Sequence, residues 1–351
     1  MAQKNKIRIG FVGCGEHARK SIYPAIRHTP IDFVSVCNRH GGDILRRTAR
    51  NFGVLRRYTD YQKMIQKEHL DALFVVTGPD SYPRISIDAM EAGLHVFIEK
   101  PPANTIGEVK EMIRTSERTG KFLMIAFKKR FVPAYMKAKE IMNIPEFGKP
   151  TSILSRYSSK VDKERIENYQ DKEEQPKDLF PFVLDYVIHH VDLIRFFMGD
   201  VERIYFERNF PKGIPTYAIS IKFKSGAVGV MHITKECSPT SFQERVELVG
   251  EGANIIIDNC IRLIYYQRSK ELSWDNYIGE DTQAPQIWEP AFSLSQFSNK
   301  ALFLEGFVGE VRHFAESILN NTPPQSNIYD GLEAMKFIEA LYSKPGNVIE
   351  L

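Results

Sequence analysis

A glycine-rich turn near the start of the chain has the residue types of a nucleotide-binding loop. Residues 13–18 read GCGEHA, follow an apolar run at residues 7–12 and fit the pattern GxGxxA. In such a turn the first glycine permits the sharp change of direction, and the second lets the backbone approach a pyrophosphate. The small third residue keeps the next helix close to the strand, with its N-terminus towards the anion. The pattern predicts a dinucleotide site, with a purely structural strand–helix turn as the alternative.

The end of the next predicted strand bears on which dinucleotide binds. An acidic residue at this place bonds the ribose 2′-hydroxyl and favours NAD. This chain has Asn38 and Arg39 there instead. Asn38 can bond a hydroxyl without repelling a 2′-phosphate, and Arg39 can pair with that phosphate. The sequence therefore favours NADP slightly over NAD, and a solvated loop arginine is the alternative interpretation of Arg39.

A lysine follows another apolar run. Glu99, Lys100 and Pro101 come directly after residues 95–98. Ligands of open α/β sheets bind outside the carboxyl ends of the strands, which is where Lys100 is expected. An ammonium group beside a nicotinamide could hold a hydroxyl and stabilise negative charge that develops on its oxygen. The competing interpretation is a surface lysine before a proline turn.

A polar stripe on an apolar segment has the residue types of a proton-transfer site. Asp185, His189 and Asp192 are spaced i, i+4 and i+7, which on a helix places them on one face. A carboxylate can orient an imidazole, and a histidine that titrates near neutrality suits proton abstraction in alcohol oxidation. A buried hydrogen-bonded network is one alternative. A metal site of His189, His190 and Asp192 is another and is less favoured, because adjacent helical residues point about 100° apart.

A basic segment lies at the end of the predicted strand 123–127. Lys128, Lys129 and Arg130 could hold a polar or acidic substrate from there, and a solvated loop at a domain junction explains them equally well. Lys128 and Arg130, together with Asp185 and His189, are the residues assigned to substrate binding.

Composition excludes several classes of protein. The chain has 351 residues, 43% of them apolar and 26% charged, which is typical of a soluble globular protein of about two domains. A net charge of +3 argues against nucleic-acid or membrane partners. The four cysteines form no CxxC pair, so we expect a cytoplasmic protein without disulfides.

Two domains of different architecture are expected. In residues 1–131, short apolar runs alternate with helical patterns, which predicts a doubly wound parallel sheet of the Rossmann type. Residues 132–351 carry closely spaced strand-like runs that predict an α+β domain with a large open, mostly antiparallel sheet. Helices are predicted at 182–198, 305–320 and 329–342, and the helices within 305–342 are expected to pack back on the first domain. Segments 160–177 and 273–290 are expected to shape a substrate pocket.

Taken together, these motifs resemble those of the Gfo/Idh/MocA family, which includes glucose–fructose oxidoreductase and inositol dehydrogenase. The resemblance covers nearly the whole chain. It rests on IGFVGCG at residues 9–15, AGLHVFIEKP at 92–101, Arg130-Phe131, the spacing Asp185-x-x-x-His189-x-x-Asp192, and DGLEA at 330–334.

The resemblance implies an NAD(P)-dependent oxidoreductase that transfers hydride between nicotinamide and a hydroxyl or carbonyl carbon of a sugar, cyclitol or sugar derivative. Lys100, Asp185 and His189 match the family's catalytic residues, and no metal is implied. A homodimer or homotetramer through the C-terminal sheet is expected. The residues assigned to the cofactor are Gly13, Gly15, Glu16, His17, Ala18, Asn38, Arg39, Thr77, Glu99 and Lys100.

One rival from a different class remains open. A non-catalytic NAD(P)-binding sensor or regulator could use the same scaffold. The presence of Lys100, Asp185 and His189 together favours the enzyme, because a sensor has no need of proton transfer.

Overall fold

The computed structural model describes residues 5–159, 187–209, 216–235, 237–238, 240, 242–268, 284–290 and 300–351. The chain divides into two compact units. The first consists of Met1–Phe131 and Asn299–Lys336, and the second of Val132–Ser298 and Phe337–Leu351.

A six-stranded parallel sheet forms the centre of the first unit. Its strands are β1 (Ile7–Val12), β2 (Ile31–Cys37), β3 (Arg56–Tyr58), β4 (Ala72–Val75), β5 (His95–Ile98) and β6 (Leu123–Ile125). They lie in the order β3-β2-β1-β4-β5-β6. The order reverses between β1 and β4, and ligands bind at such switch points in open α/β sheets. The predicted Rossmann sheet is confirmed.

Ten α-helices are described. They are α1 (Tyr23–Ile26), α2 (Gly42–Phe52), α3 (Tyr61–Lys67), α4 (Tyr82–Glu91), α5 (Ile106–Thr119), α6 (Pro133–Met142), α7 (Ile188–Met198), α8 (Lys300–Leu304), α9 (Phe307–Asn320) and α10 (Ile328–Ala340). Local sequence sets several ends. At α5, Thr105 and Glu108 form a reciprocal capping box, and Gly120 ends the helix in the left-handed conformation.

The core of the first unit is built on aromatic side chains of the central strands. Phe11 of β1, Phe74 of β4 and Phe97 of β5 are fully buried. Phe314 of α9 packs edge-on against Phe74 with ring centroids 5.4 Å apart. Burial of a side chain of this size contributes about 1.5–3 kcal/mol. Helix α9 therefore completes the hydrophobic core of the parallel sheet, although it lies nearly 200 residues later in the chain.

The second unit contains a nine-stranded sheet. Its strands are β7 (Ser152–Ser158), β8 (Val201–Asn209), β9 (Thr216–Phe223), β10 (Val228–Thr234), β11 (Gln243–Val249), β12 (Asn254–Asp258), β13 (Arg262–Tyr266), β14 (Gln286–Trp288) and β15 (Val348–Glu350). Their order is β14-β13-β12-β11-β7-β10-β9-β8-β15. Among the described strands of this nine-stranded sheet, β7 and β10 form the single parallel pair, and the other neighbouring strands are antiparallel. The predicted mostly antiparallel sheet is confirmed. Helices α6 and α7 contact it through β12, β13 and β7.

Several predicted elements need correction. The helix expected over 305–320 begins two residues later, at Phe307, because the chain turns at Gly306 with φ +89° and this turn separates α8 from α9. A Cβ at Gly306 would lie 2.1 Å from the carbonyl oxygen of Lys128, so this close approach requires glycine. Strands β3, β7, β14 and β15 and helices α3 and α8 were not predicted. Residues 160–186 and most of 273–290 lie outside the described residues, and with them Asp185 and the start of the predicted helix 182–198.

Within the described part of the chain, none of the helices is long and apolar enough to cross a membrane.

Candidate functional site

Strand register brings the predicted cofactor residues to one edge of the parallel sheet. Val12 pairs with Cys37 on one side and with Val75 on the other, and Val75 pairs with Ile98. The residues that directly follow these strands therefore lie at the same carboxyl-end edge. They are Gly13, Asn38, Val76 and Glu99.

Gly13 and Gly15 have different structural reasons to be glycine. Gly13 has φ +116°, and a Cβ there would lie 2.0 Å from the Val76 carbonyl oxygen. The Gly13 N–H donates to the Cys37 carbonyl at 2.9 Å, which ties the turn to β2. At Gly15 an added Cβ would meet no atom within 4 Å. The backbone at Gly15 is therefore open on that side, as a pyrophosphate cradle requires, and the residues present fit a dinucleotide.

The helix after the turn differs from the expected regular helix. It contains a π-helical turn over Ala18–Ile22, after Glu16 and His17, and continues as α1. Ala18 is fully buried, so its small side chain does allow close packing. Tyr23 donates from its hydroxyl to the Gly13 carbonyl at 2.5 Å and stacks on Phe11 with centroids 4.2 Å apart. Sequence reasoning missed Tyr23, because no local pattern shows that its ring returns to the turn.

A cavity of about 960 Å³ lies at this edge of the first unit. Five of the ten predicted cofactor residues line it: Gly13, Gly15, Asn38, Arg39 and Thr77. The cavity continues past Asp60 and Tyr61 to Ser81 and Arg84. Its volume is in the range of small-molecule and cofactor pockets.

Two cysteines form part of the cavity wall. Burial raises the pKa of the Cys14 thiol, although Thr48 and Tyr23 act in the opposite direction. Burial, with smaller contributions from Asp60 and Cys14, raises the pKa of Cys37 to about 12. Both thiols are therefore neutral at physiological pH and line the cavity as apolar groups rather than as nucleophiles.

The predicted ribose end of the cavity is formed by the loop after β2. Backbone hydrogen bonds fix it: the Asn38 N–H donates to Tyr58 O at 3.0 Å, and the Gly41 N–H donates to Asn38 O at 2.8 Å. Arg39 is exposed at the rim. Asp60, an acidic residue of the cavity wall, accepts from the N–H of Gln62 at 2.9 Å and so caps α3. A basic group thus stands at the ribose end.

Glu99 connects the glycine-rich turn to the strand that carries Lys100. Its Oε1 lies 2.8 Å from Nε2 of His17, and its Oε2 accepts the backbone N–H of Lys100 at 3.3 Å. Burial acts against the charged form of His17, but the hydrogen bond and charge of Glu99 outweigh it, so the pKa of His17 is raised. The pair fixes the relative position of the two segments. Sequence reasoning assigned both residues to the cofactor without foreseeing the contact between them.

The basic segment after β6 is engaged in ion pairs within the first unit. Lys128 Nζ lies 2.7 Å from Glu305 and 4.1 Å from the centroid of the Phe307 ring. Arg130 is 5% exposed and pairs with Asp330 at 2.9 Å. These contacts are structural. Substrate binding by Lys128 and Arg130 remains a prediction.

The predicted proton-transfer residues belong to the second unit and are described in part. His189 is half-buried at the start of α7, His190 and Asp192 are buried, and Asp185 lies outside the described residues. The His190 ring packs on Tyr157 of β7 with centroids 4.3 Å apart. In the described part of the chain, no three His, Cys, Asp or Glu side chains come together as a group that could hold a metal ion.

Comparison with known proteins gives two family matches. A model described as an oxidoreductase family with an NAD-binding Rossmann fold matches residues 7–127. A model of the GFO/IDH/MocA C-terminal domain matches residues 135–256.

Individual relatives are distant. The chain is 27% identical over 272 residues to a myo-inositol 2-dehydrogenase of Thermotoga maritima, covering 72% of this chain and 75% of the relative. It is 24% identical over 354 residues to a D-apiose dehydrogenase of Paraburkholderia graminis, covering 97% and 88%. An Agrobacterium radiobacter oxidoreductase, solved in complex with NAD+, L-tartaric acid and magnesium, superposes with a TM-score of 0.81 at 19% identity and covers 98% of both chains.

The two family models together span more than half of the chain, one on the parallel-sheet unit and one on the larger sheet. The protein therefore belongs to the Gfo/Idh/MocA family of NAD-binding oxidoreductases.

Proposed function

We propose that this protein is a dehydrogenase or reductase of a sugar, cyclitol or sugar derivative, with NADP or NAD as the hydride carrier. The observation that carries the proposal is the cavity of about 960 Å³ at the switch point of the parallel sheet, lined by the glycine-rich turn, Asn38, Arg39 and Thr77. When bound there, the nicotinamide supplies hydride transfer to or from carbon.

The chain's own residues handle the proton and the oxygen. The Lys100 ammonium holds the substrate oxygen and stabilises the negative charge that develops on it. The His189 imidazole takes the hydroxyl proton in oxidation and returns it in reduction. The Asp185 carboxylate orients that imidazole. Glu99 helps to fix the backbone of Lys100, because its carboxylate accepts the Lys100 backbone N–H.

NADP is the preferred cofactor in this proposal. Asn38 places no negative charge at the end of β2, and Arg39 is exposed at the cavity rim where a 2′-phosphate would be bound. A hydrogen bond to a charged group contributes about 1.5–3 kcal/mol, so Arg39→Ala should weaken NADP binding about ten- to a hundred-fold. Binding of NAD should change little, and equal losses for both cofactors would overturn the preference.

The proposed substrate class rests on chemistry and on the relatives. Two curated relatives are named as dehydrogenases of myo-inositol and of D-apiose, both of which carry several hydroxyl groups. A polyhydroxylated substrate suits a site with a lysine and a histidine. These two side chains can bind the hydroxyl that reacts, while other polar groups bind the remaining hydroxyls and so determine which substrate is accepted.

A homo-oligomer that forms through the second sheet is also proposed. Leu154, Val228 and Val230 are 39%, 51% and 48% exposed, and Val230 pairs with Leu154 in register. Together they place an exposed apolar cluster on the strands β7 and β10 at the middle of the sheet. Clusters of this kind are typical of protein–protein contacts.

The decisive experiment is a panel of sugars and polyols assayed with NAD and NADP by nicotinamide absorbance. On an active substrate, His189→Asn and Lys100→Met should each lower kcat about 10²–10⁴-fold. The exposed residues His69 and Lys67 supply matched controls, His69→Asn and Lys67→Met, which should retain full activity. Unchanged kcat in both site variants would overturn the catalytic assignment. Tight cofactor binding without turnover on any substrate would favour the sensor.

A further inference from the structure

A buried carboxyl group in the first unit lies near enough to Glu99 for the two to interact electrostatically. Glu310 belongs to α9 and is fully buried. Neither of its carboxyl oxygens has a hydrogen-bond partner among the described residues. Helix α9 packs on β1, on α1, on the π-helical turn and on the short helix Lys128–Phe131. Glu310 is therefore enclosed among these elements and has no solvent to stabilise a charge.

Two charged groups act on Glu310 from neighbouring elements. Glu99, at the end of β5, acts against its ionisation, and Lys128 acts in favour to a smaller extent. Lys128 offers little compensation, because its ammonium already pairs with Glu305. Four other basic groups on the elements that pack against α9 have partners elsewhere: Arg8 with Asp32, Arg19 with the Cys14 carbonyl, Lys20 with Glu16, and Arg130 with Asp330.

The surroundings of the two acids differ. An unpaired ionised carboxylate in an apolar interior is so costly that the group takes up a proton instead. Burial, and then the charge of Glu99, raise the pKa of Glu310 well above its usual range. Glu99 has the opposite environment, since it faces His17 at 2.8 Å. The two acids are therefore not equivalent: Glu99 has a hydrogen-bond partner in His17, and Glu310 has none among the described residues.

We propose that Glu310 is a positioning residue of the cofactor site, a buried carboxylic acid that stays protonated at physiological pH and so leaves one negative charge, on Glu99, to hold His17 and the Lys100 backbone. The inference rests on the proposed function in placing the cofactor beside this pair. Loss of the Glu310 proton would add a second negative charge that acts on Glu99. The extra negative charge would disturb the contact between His17 and Glu99 and repel the anionic cofactor.

The protonation state can be measured without any cofactor. In the wild-type protein labelled with ¹³C-carboxyl glutamate, one resonance should titrate far above the ordinary range for glutamate. The infrared C=O band of a protonated carboxyl should be present at neutral pH and absent in Glu310→Gln. The matched control is Glu316→Gln, an exposed position on the same helix, which should keep the band. The titration of the wild-type protein tests the protonation state of Glu310 even if a variant fails to fold.

The consequence for the site is measured as the affinity for reduced cofactor, by its fluorescence, across pH. Glu310→Gln, which mimics the neutral acid, should bind as the wild type does at neutral pH. As pH rises through the pKa of Glu310, the wild type and Glu316→Gln should weaken about ten-fold, while Glu310→Gln keeps its affinity.

The outcomes separate the two proposals. If neither NAD(P)H form binds the wild-type protein, the proposed function fails, and the protonation measurement still stands on its own. Absence of a high-pKa glutamate in the wild type would overturn the inference. So would cofactor binding in Glu310→Gln that falls with pH in parallel with the wild type, because Glu310 would then have no part in positioning.

Discussion

The two sheets of this protein differ in how they are covered. In the parallel sheet, β4 is buried at every residue and β5 at all but His95. In the nine-stranded sheet, burial alternates: along β9, Tyr217, Ile219, Ile221 and Phe223 are buried, while Ala218 and Ser220 are exposed. A sheet covered on both faces can bind a ligand only at its carboxyl-end edge. A sheet with one open face can bind another chain there.

Because one sheet is buried on both faces and the other has an exposed face, substitutions in the two sheets should have different consequences. In the parallel sheet the candidate cofactor site depends on backbone geometry at the strand ends. One added Cβ atom at Gly13 is therefore enough to disturb the glycine-rich turn. On the open face of the larger sheet the side chains contact solvent in the monomer, so changes there should affect association rather than folding. The following predictions test this separation, in order of decreasing effect on the free energy of unfolding.

The largest effect is expected at the glycine-rich turn. Gly13→Ala should lower the free energy of unfolding by about 3 kcal/mol or more, because φ +116° is strained for alanine and its Cβ would overlap the Val76 carbonyl. The matched control Gly15→Ala should fold normally and bind cofactor less well, because its methyl would occupy open space on the cofactor side. Denaturant unfolding and cofactor titration measure the two effects. Equal stability of the two variants would contradict the roles assigned to these glycines.

The next effect is expected at the ion pair after β6. Arg130→Met removes one partner of a pair in which Arg130 is 5% exposed, and should cost about 3 kcal/mol. Since the contact with Asp330 is structural, kcat/KM per folded molecule should change little. A large rise in KM without loss of stability would instead support the predicted role of Arg130 in substrate binding.

A pH-dependent effect, smaller per pH unit than the loss at Arg130, is expected at Glu310. The folded-state pKa of Glu310 is raised above the ordinary value of 4.5, so its stabilising contribution is fully present below that pH and declines as pH rises through the folded-state pKa. Glu310→Gln should therefore gain stability relative to wild type at up to about 1.4 kcal/mol per pH unit over this window. Unfolding curves at several pH values measure the slope, and a pH-independent difference would contradict it.

The smallest effect on folding is expected on the open face of the larger sheet. Val230→Lys should change the free energy of unfolding of the monomer by no more than about 0.5 kcal/mol, because the side chain is 48% exposed. It should nevertheless dissociate the proposed oligomer, which sedimentation velocity would detect. Lys222→Ala, on the neighbouring strand β9, is the control. An oligomer that survives Val230→Lys and Leu154→Lys would place the interface elsewhere.

Local sequence patterns predicted much of the parallel sheet. The apolar runs that became β1, β2, β4 and β5 are four to seven residues long and bounded by turn residues. Their pattern requires no tertiary information, because a strand buried on both faces must be apolar at nearly every position. The Thr105 capping box and Gly120 similarly fix α5 from local chemistry alone.

Strand β3 was missed because its sequence carries no such pattern. Arg56 and Arg57 are exposed, and the segment is a strand only because it pairs with β2. Helix α3 carries a local signal that could have been used: the side chain of Asp60 caps its first turn by accepting from Gln62 and Lys63. The interruption at Gly306 depends on contact with Lys128, far away in the sequence.

The sequence by itself determined that a dinucleotide turn follows the first strand, because glycine is needed there for reasons of backbone geometry. It also determined the class of fold, because the spacing of apolar residues follows strand and helix geometry. Only the tertiary structure decided that His17 contacts Glu99, that Arg130 pairs with Asp330 and that Glu310 is buried without a hydrogen-bond partner among the described residues. His17 and Glu99 are 82 positions apart in the sequence, and Arg130 and Asp330 are 200 apart. Glu310 is 211 positions from Glu99, the acid that acts on it. Charge and burial at such distances depend on how the chain packs, which no local pattern specifies.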